Sequence, residues 1–231
     1  MLGSIISQIT ISILIHNCMR TIFRFILLIV IFGVFAHCNT SKSKKSIENL
    51  KTAFNNESTA SEKYAKFAQT AMKEGFDTIA KLFDAASKSE SIHAFNHGKV
   101  LEKYGANVGN AEIGSYEVKT TTENLQAAIN GETYEMQTMY PLFIRDAEKE
   151  KAAEAAKSFT WAWDAEKKHL NYYRFAAASI IKGNETSVSF NWFVCPVCGN
   201  TYNLTDLKEN CDFCLTKREN FIGYAEYSED K

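Results

Sequence analysis

Glu90-Ser-Ile-His93 and Glu166-Lys-Lys-His169 repeat one pattern, Glu-x-x-His. Three residues of α-helix turn through about 300°, so the Glu and His of each pair share a face one turn apart. Glu132-Thr-Tyr-Glu135 keeps the same spacing with two carboxylates, and Glu57 offers another. Two Glu-x-x-His pairs, completed by carboxylates from two other helices, form a ligand set for two iron ions inside a four-helix bundle. A second cluster lies near the C-terminus: Cys195-Pro-Val-Cys198 and Cys211-Asp-Phe-Cys214. Four thiolates in two such knuckles bind one iron or zinc ion. A carboxylate di-iron site joined to a thiolate-bound iron describes a redox enzyme with its own electron relay.

Each signal has a plainer reading. A single Glu is ordinarily a solvated surface residue, and one Glu-x-x-His is unremarkable. Two of them, with Glu-x-x-Glu between, place a carboxylate inside every helix of a bundle. That is stable only when the charges are paired or coordinated. The cysteine spacing is equally that of a structural zinc ribbon, and taken alone it favours zinc. Fusion to a di-iron bundle shifts the expectation to iron, which passes single electrons where zinc cannot.

The elements that must position these residues follow from apolar periodicity. Helices are predicted near 46–73, 76–104, 121–149 and 151–181. The first carries Ile47, Leu50, Phe54, Ala65 and Ala68, with Gly75 as its C-cap. Residues 106–120 read as a long irregular crossover, ended by the start signal Thr120-Thr-Thr-Glu123. Pro141 lies inside the third helix and should kink or shorten it. Residues 183–190 read as a polar linker, and Trp192-Phe-Val as a strand leading into the first knuckle.

The chain has 231 residues, enough for one sizeable domain and a small one. Its two prolines and eleven glycines suit a helical protein, and a net charge of -1 gives no electrostatic case for nucleic acid. Of six cysteines, four are in the knuckles, so no disulfide framework is expected.

Residues 25–36 are an unbroken apolar run behind Arg20 and Arg24, too short for a bilayer span but the length of a signal-peptide core. Met19 would make a compact start, with 1–18 an upstream extension of the reading frame. Cys38 resembles the lipidated cysteine of a bacterial lipoprotein, although His37 replaces the expected small residue. Cleavage after Ala36 and an uncleaved anchor are the other readings, and the polar tether 39–45 favours the lipoprotein. The leader, 1–38, thus predicts export to a bacterial cell envelope or periplasm, with a lipid anchor at Cys38. The alternative is an ordinary cytoplasmic protein.

Several segments together resemble the rubrerythrins. Asn49-Leu-Lys-Thr-Ala-Phe-Asn-Asn-Glu57-Ser58 with Tyr64 looks like their first helix, and Gly131-Glu132-Thr-Tyr134-Glu135 with Met139-Tyr140-Pro141 like their third. The two Glu-x-x-His motifs and the four cysteines complete the likeness across about 46–231. The second knuckle lacks the usual Pro and Gly. The resemblance implies a mainly α protein: a ferritin-like four-helix bundle over 46–182, then a small rubredoxin-like four-cysteine metal domain over 191–231. It implies a di-iron centre that reduces hydrogen peroxide to water, for defence against oxidative stress. Carried over, Glu90 and Glu166 bridge the irons, and Glu57, His93, Glu132, Glu135 and His169 are terminal ligands. One iron can move between His93 and Glu135. Cys195, Cys198, Cys211 and Cys214 hold the relay iron, refilled by an outside reductase. In the family the donor iron lies near the di-iron site of a neighbouring subunit, which implies a homodimer or larger assembly.

Beside the ligands, Tyr64 and Tyr134 are expected either to hydrogen-bond a ligand carboxylate or bound peroxide, or to be core aromatics with a satisfied hydroxyl. His97 is expected at the surface or behind the ligands, because the site is already filled. Phe159, Trp161 and Trp163 are expected to pack rather than to carry electrons. The competing functions are a ferroxidase or iron-handling protein of the ferritin class, which needs no relay, and a zinc-bound scaffold.

Overall fold

The structure is a computed structural model that describes residues 43–224. The leader, Cys38 and most of the polar tether lie outside the described residues. Helix α1 spans Lys44–Lys73 and α2 spans Asp77–Lys103. The third helix is composite: α3 (Thr121–Tyr134), a π-helical turn (Glu135–Met139) and α4 (Tyr140–Lys149). Helix α5 spans Ala153–Ile181. Among the described residues no helix is long and apolar enough to cross a membrane.

The inward stripe of α1 is Leu50, Ala53, Glu57, Ala60, Tyr64, Phe67, Ala68 and Ala71, spaced by three and four. Ile47 and Phe54 pack at its margin rather than at its centre. The core falls into two apolar clusters. One gathers Tyr64, Phe67, Leu82, Phe83, Leu125 and Tyr173. The other gathers Leu50, Leu101, Tyr140, Phe143 and Phe159. Along α1, α2 and α5 the candidate ligands fall between the residues of these clusters, so the polar layer is sealed at both ends. Each fully buried Phe or Leu contributes about 1.5–3 kcal/mol through the water it excludes.

Thr120 and Glu123 form the expected reciprocal cap at the start of α3. The crossover before it runs over α1, held there by Glu112 N–H to Asn55 Oδ1 (3.1 Å) and Gly114 N–H to Thr59 Oγ1 (2.9 Å). Pro141 neither ends nor sharply breaks the third helix. It sits in the first turn of α4, where a missing N–H costs little, and the π turn just before it absorbs the misfit.

The C-terminal module is a three-stranded antiparallel sheet of order β2-β1-β3, from β1 (Trp192–Val194), β2 (Thr201–Asn203) and β3 (Ile222–Tyr224). It is docked on the bundle. Ser89 donates to the Gly199 carbonyl (2.6 Å), Asn96 to that of Val197 (2.9 Å), and Tyr172 to Asp206 (2.5 Å). Segment 183–190 is no free linker, because Thr78 of α2 donates to the Glu185 carbonyl (3.0 Å) and Val188 is buried.

The two knuckles share one turn despite their different sequences. Gly199 N–H bonds the Cys195 carbonyl and Leu215 N–H that of Cys211, each at 3.0 Å, and both residues have positive φ, 83° and 62°. Only the first position is crowded: a Cβ on Gly199 would lie 2.5 Å from the His93 ring, whereas Leu215 is 75% exposed. We expect Gly199→Ala to lose more than about 1 kcal/mol through strain and overpacking. Leu215→Ala should stay within about 0.5 kcal/mol of wild type. Denaturant unfolding of the metal-loaded variants checks both.

Candidate metal centre

Six of the seven candidate ligands converge in the layer between the apolar clusters. Glu57, Glu90, His93 and Glu166 form one set, and Glu90, Glu132, Glu166 and His169 a second; within each, one ligand atom per residue lies within 4.8 Å of all the others. Glu90 and Glu166 belong to both, as two bridging carboxylates would. Every one of these side chains is buried.

The imidazoles face inward through Nδ1. His93 Nδ1 lies 2.8 Å from Glu90 Oε2 and 3.0 Å from Glu166 Oε1; His169 Nδ1 lies 2.8 Å from Glu166 Oε2 and 3.1 Å from Glu90 Oε1. One N–H cannot serve two carboxylates well, whereas a cation among the three atoms can. One oxygen each of Glu57, Glu90, Glu132 and Glu166 is buried without a hydrogen bond. Buried carboxylate lone pairs left open are costly unless a cation takes them. The four glutamates and two neutral histidines of these sets carry -4, which two divalent ions balance. The donor set therefore fits two metal ions.

Electrostatics divides the carboxylates. Burial, reinforced by the charges of Glu90 and Glu166, raises the Glu57 pKa to about 8. Glu132 is raised by burial and by Glu166 and Glu90. For Glu90, burial also works upward, but His169 and His93 overcome it and hold the group low. His169 is raised to about 9, because Glu90 and Glu166 outweigh its own burial.

Glu135 stands apart. It opens the π turn, is half-buried and belongs to neither set. Burial and the charges of Glu57, Glu166 and Glu90 raise its pKa well above normal, so it belongs to the same electrostatic cluster. Tyr64 donates to Glu132 Oε1 at 2.5 Å, the first of the two roles open to it. Tyr134 does not reach the site: it is 56% exposed, because two residues beyond inward-facing Glu132 a helix has turned to its other side. The second phenol at the site is Tyr140, whose hydroxyl donates to Glu57 Oε1. Sequence reasoning missed it because α-helical counting is interrupted by the π turn that precedes it. His97 is fully buried rather than at the surface. Trp163 packs with its indole N–H on the Met136 carbonyl (2.8 Å), Trp161 packs against the cysteine cluster and Phe159 lies in the core.

The cysteines form one cluster, with Cys195 Sγ 3.4 Å from Cys214 Sγ and Cys198 Sγ 3.4 Å from Cys211 Sγ. These separations are too long for disulfides and suit the edges of a tetrahedral thiolate site. Tyr202 donates to Cys211 Sγ (3.3 Å), and Thr216 Oγ1 lies 3.1 Å from Cys214 Sγ. Hydrogen bonds from Cys195, Cys198 and Tyr202 hold the Cys211 thiol low.

The two centres touch through hydroxyls. His169 Nε2 meets Thr201 Oγ1 at 3.0 Å, and Thr201 lies 3.4 Å from the Gly199 carbonyl. His93 Nε2 lies 3.5 Å from Ser89 Oγ, which donates to the same carbonyl. Both histidines thus lead to the residue after Cys198. Within the single chain, the cysteine module lies against its own bundle. From Ile181 the return to the level of His169 is about 18 Å of helix, and residues 182–191 can span up to about 33 Å.

A family model described as Rubrerythrin matches residues 48–177. The chain belongs to the rubrerythrin family. Rubrerythrin-2 of Clostridium acetobutylicum is 33% identical over 186 residues, 79% of this chain and 98% of that one. Nigerythrin of Nitratidesulfovibrio vulgaris is 31% identical over 193 residues, 84% of this chain and 93% of that one. A solved nigerythrin structure, described as a mixed-valence state, aligns with a TM-score of 0.69 and 32% identity over 78% of this chain and 86% of that one. A rubrerythrin-family di-iron site and a rubredoxin-like four-cysteine site account for the two clusters.

The pKa directions set a pH dependence for the metal-free bundle. Glu57 and His169 both have folded pKa values above their unfolded ones, so the folded state holds the extra protons. Stability of the apoprotein should therefore fall as pH rises through about 5 to 9. Metal replaces those protons, so the gain in Tm on adding ferrous iron anaerobically should widen over the same range. Thermal unfolding of apo and loaded protein at several pH values checks the sign.

Proposed function

We propose that this chain is a non-haem di-iron peroxidase: one hydrogen peroxide, two protons and two electrons give two waters, with the electrons arriving through iron on the four cysteines. Glu90 and Glu166, common to both sets, would serve both metal ions. Glu57 and His93 would complete one metal position, and Glu132 and His169 the other. Glu135, waiting at the edge, is the carboxylate that can take the place of His93. When bound, the iron pair supplies both electrons to the O–O bond together, so no radical is released. Tyr64 and Tyr140 hold the outer carboxylates, and the two apolar clusters exclude water from the layer.

The observation that carries this reading is the convergence of both histidine Nε2 atoms, through Thr201 and Ser89, on the carbonyl next to Cys198. Iron storage alone gives no reason to press a four-thiolate site against the ligands. Location belongs to the same proposal and rests on the leader sequence: export, with lipid on Cys38.

The purified protein should be red, with about three irons per chain. Cys198→Ser should lose the thiolate-bound iron and keep the bundle pair. Chemically pre-reduced, that variant should still consume peroxide once, while turnover with a reductase stops. Unchanged turnover, or a colourless wild type with zinc in the cysteines, would refute the relay.

A further inference from the structure

His97 is a buried histidine that the ligand set does not use. Its Nδ1 lies 2.8 Å from Ser158 Oγ and its Nε2 3.2 Å from Tyr140 Oη, and Tyr140 donates to Glu57 Oε1. The four residues come from the four bundle helices: Glu57 from α1, His97 from α2, Tyr140 from the third and Ser158 from α5. Around them lie Phe143 and Phe159, with the Phe159 ring centroid 5.5 Å from that of His97. A core needing only bulk would place an apolar residue here, because buried polar groups cost free energy unless each is satisfied.

Proton counting fixes the direction of the chain. A carboxylate serving as metal ligand can only accept. The single hydroxyl proton of Tyr140 is therefore committed to Glu57, so Tyr140 Oη must accept from His97 Nε2–H. The His97 ring is fully buried beside Tyr140 and Phe159, where a charge without a partner is costly, so the ring is neutral and carries one proton. Nδ1 is then bare and accepts from the Ser158 hydroxyl. Every donor points inward, and Ser158, 5% exposed, is the outer end.

We propose that Ser158, His97 and Tyr140 form a proton-conducting wire that ends on Glu57. Tyr140 gives its proton to the Glu57 carboxylate and takes the Nε2 proton of His97. His97 takes the hydroxyl proton of Ser158 on Nδ1, and water restores Ser158. One proton moves from solvent to Glu57 and no electron moves. The imidazole is left in its other tautomer, and its return to Nε2–H resets the wire. The inference rests on the peroxidase reading in one respect: that reaction consumes two protons inside a layer sealed by two apolar clusters.

The decisive variants are His97→Gln, His97→Leu and Ser158→Ala. A glutamine amide can donate to Tyr140 and accept from Ser158 in the same directions but cannot pass a proton through. All three should keep wild-type iron content and visible spectrum. In pre-reduced protein mixed with peroxide, all should slow by at least about tenfold, with a larger solvent deuterium isotope effect. Wild-type speed in His97→Gln would reduce His97 to a prop for Tyr140, and wild-type speed in His97→Leu would remove any role; either overturns the wire. A second readout does not depend on turnover. In zinc-loaded wild type, 15N NMR should show His97 as the neutral Nε2–H tautomer, and Ser158→Ala should shift its Nδ1 resonance. The Nδ1–H tautomer, or a protonated ring at neutral pH, would overturn the wire. Wild type that ignores peroxide but shows the Nε2–H tautomer would instead overturn the peroxidase reading alone.

Discussion

Four carboxylates and two imidazoles share one buried layer of this bundle with a fifth carboxylate, Glu135, at its rim, and their mutual repulsion sets the terms for the fold. Desolvation and like charge push Glu57, Glu132 and Glu135 towards their protonated forms, while Glu90 and Glu166 remain ionised beside His93 and His169. Protons quench the layer only partly, because one oxygen on each of four glutamates still accepts no hydrogen bond. Two divalent cations resolve both problems together. The apolar clusters above and below supply the folding free energy that lets the chain hold this layer together, and they also keep water out of it.

A ligating histidine needs its second nitrogen occupied, and here that requirement joins the two metal centres. With Nδ1 turned inward, Nε2 of each ring must find an acceptor outside. Thr201 and Ser89 fill that role, and both reach the Gly199 carbonyl. The approach is close enough that only a glycine fits at 199. The equivalent place in the second knuckle faces solvent, which is why Leu215 is tolerated there at positive φ. The departure of the second knuckle from the usual pattern thus changes its surface and leaves its turn intact.

The π turn at Glu135–Met139 has a comparable effect on the third helix. One extra residue in the turn rotates everything beyond it. Tyr140 is brought onto the inner face against Glu57, and Glu135 is left at the rim, electrostatically coupled to the ligands but outside both sets.

Most of the fold and six of the seven residues that could form the metal layer were legible in the amino-acid sequence. Glu-x-x-His, Glu-x-x-Glu and Cys-x-x-Cys are local patterns, and helix and knuckle geometry converts their spacing directly into a shared face. The helices, the long crossover and the cap at Thr120 follow from equally local rules. The readings that changed concern contacts between distant segments or interruptions of the helical count. Tyr140 reaches Glu57 because the count broke at the π turn before it, whereas Tyr134, ahead of that turn, is carried outward by the ordinary helical count. Of the two places expected for His97, packing selects the buried one, where its partner Ser158 comes from another helix sixty-one positions away. The docking of the cysteine module on its own bundle depends on which surfaces meet once the chain turns back after Ile181. Spacing along the chain determines which side chains share a face; which faces then meet is decided by packing, through contacts that no local pattern encodes.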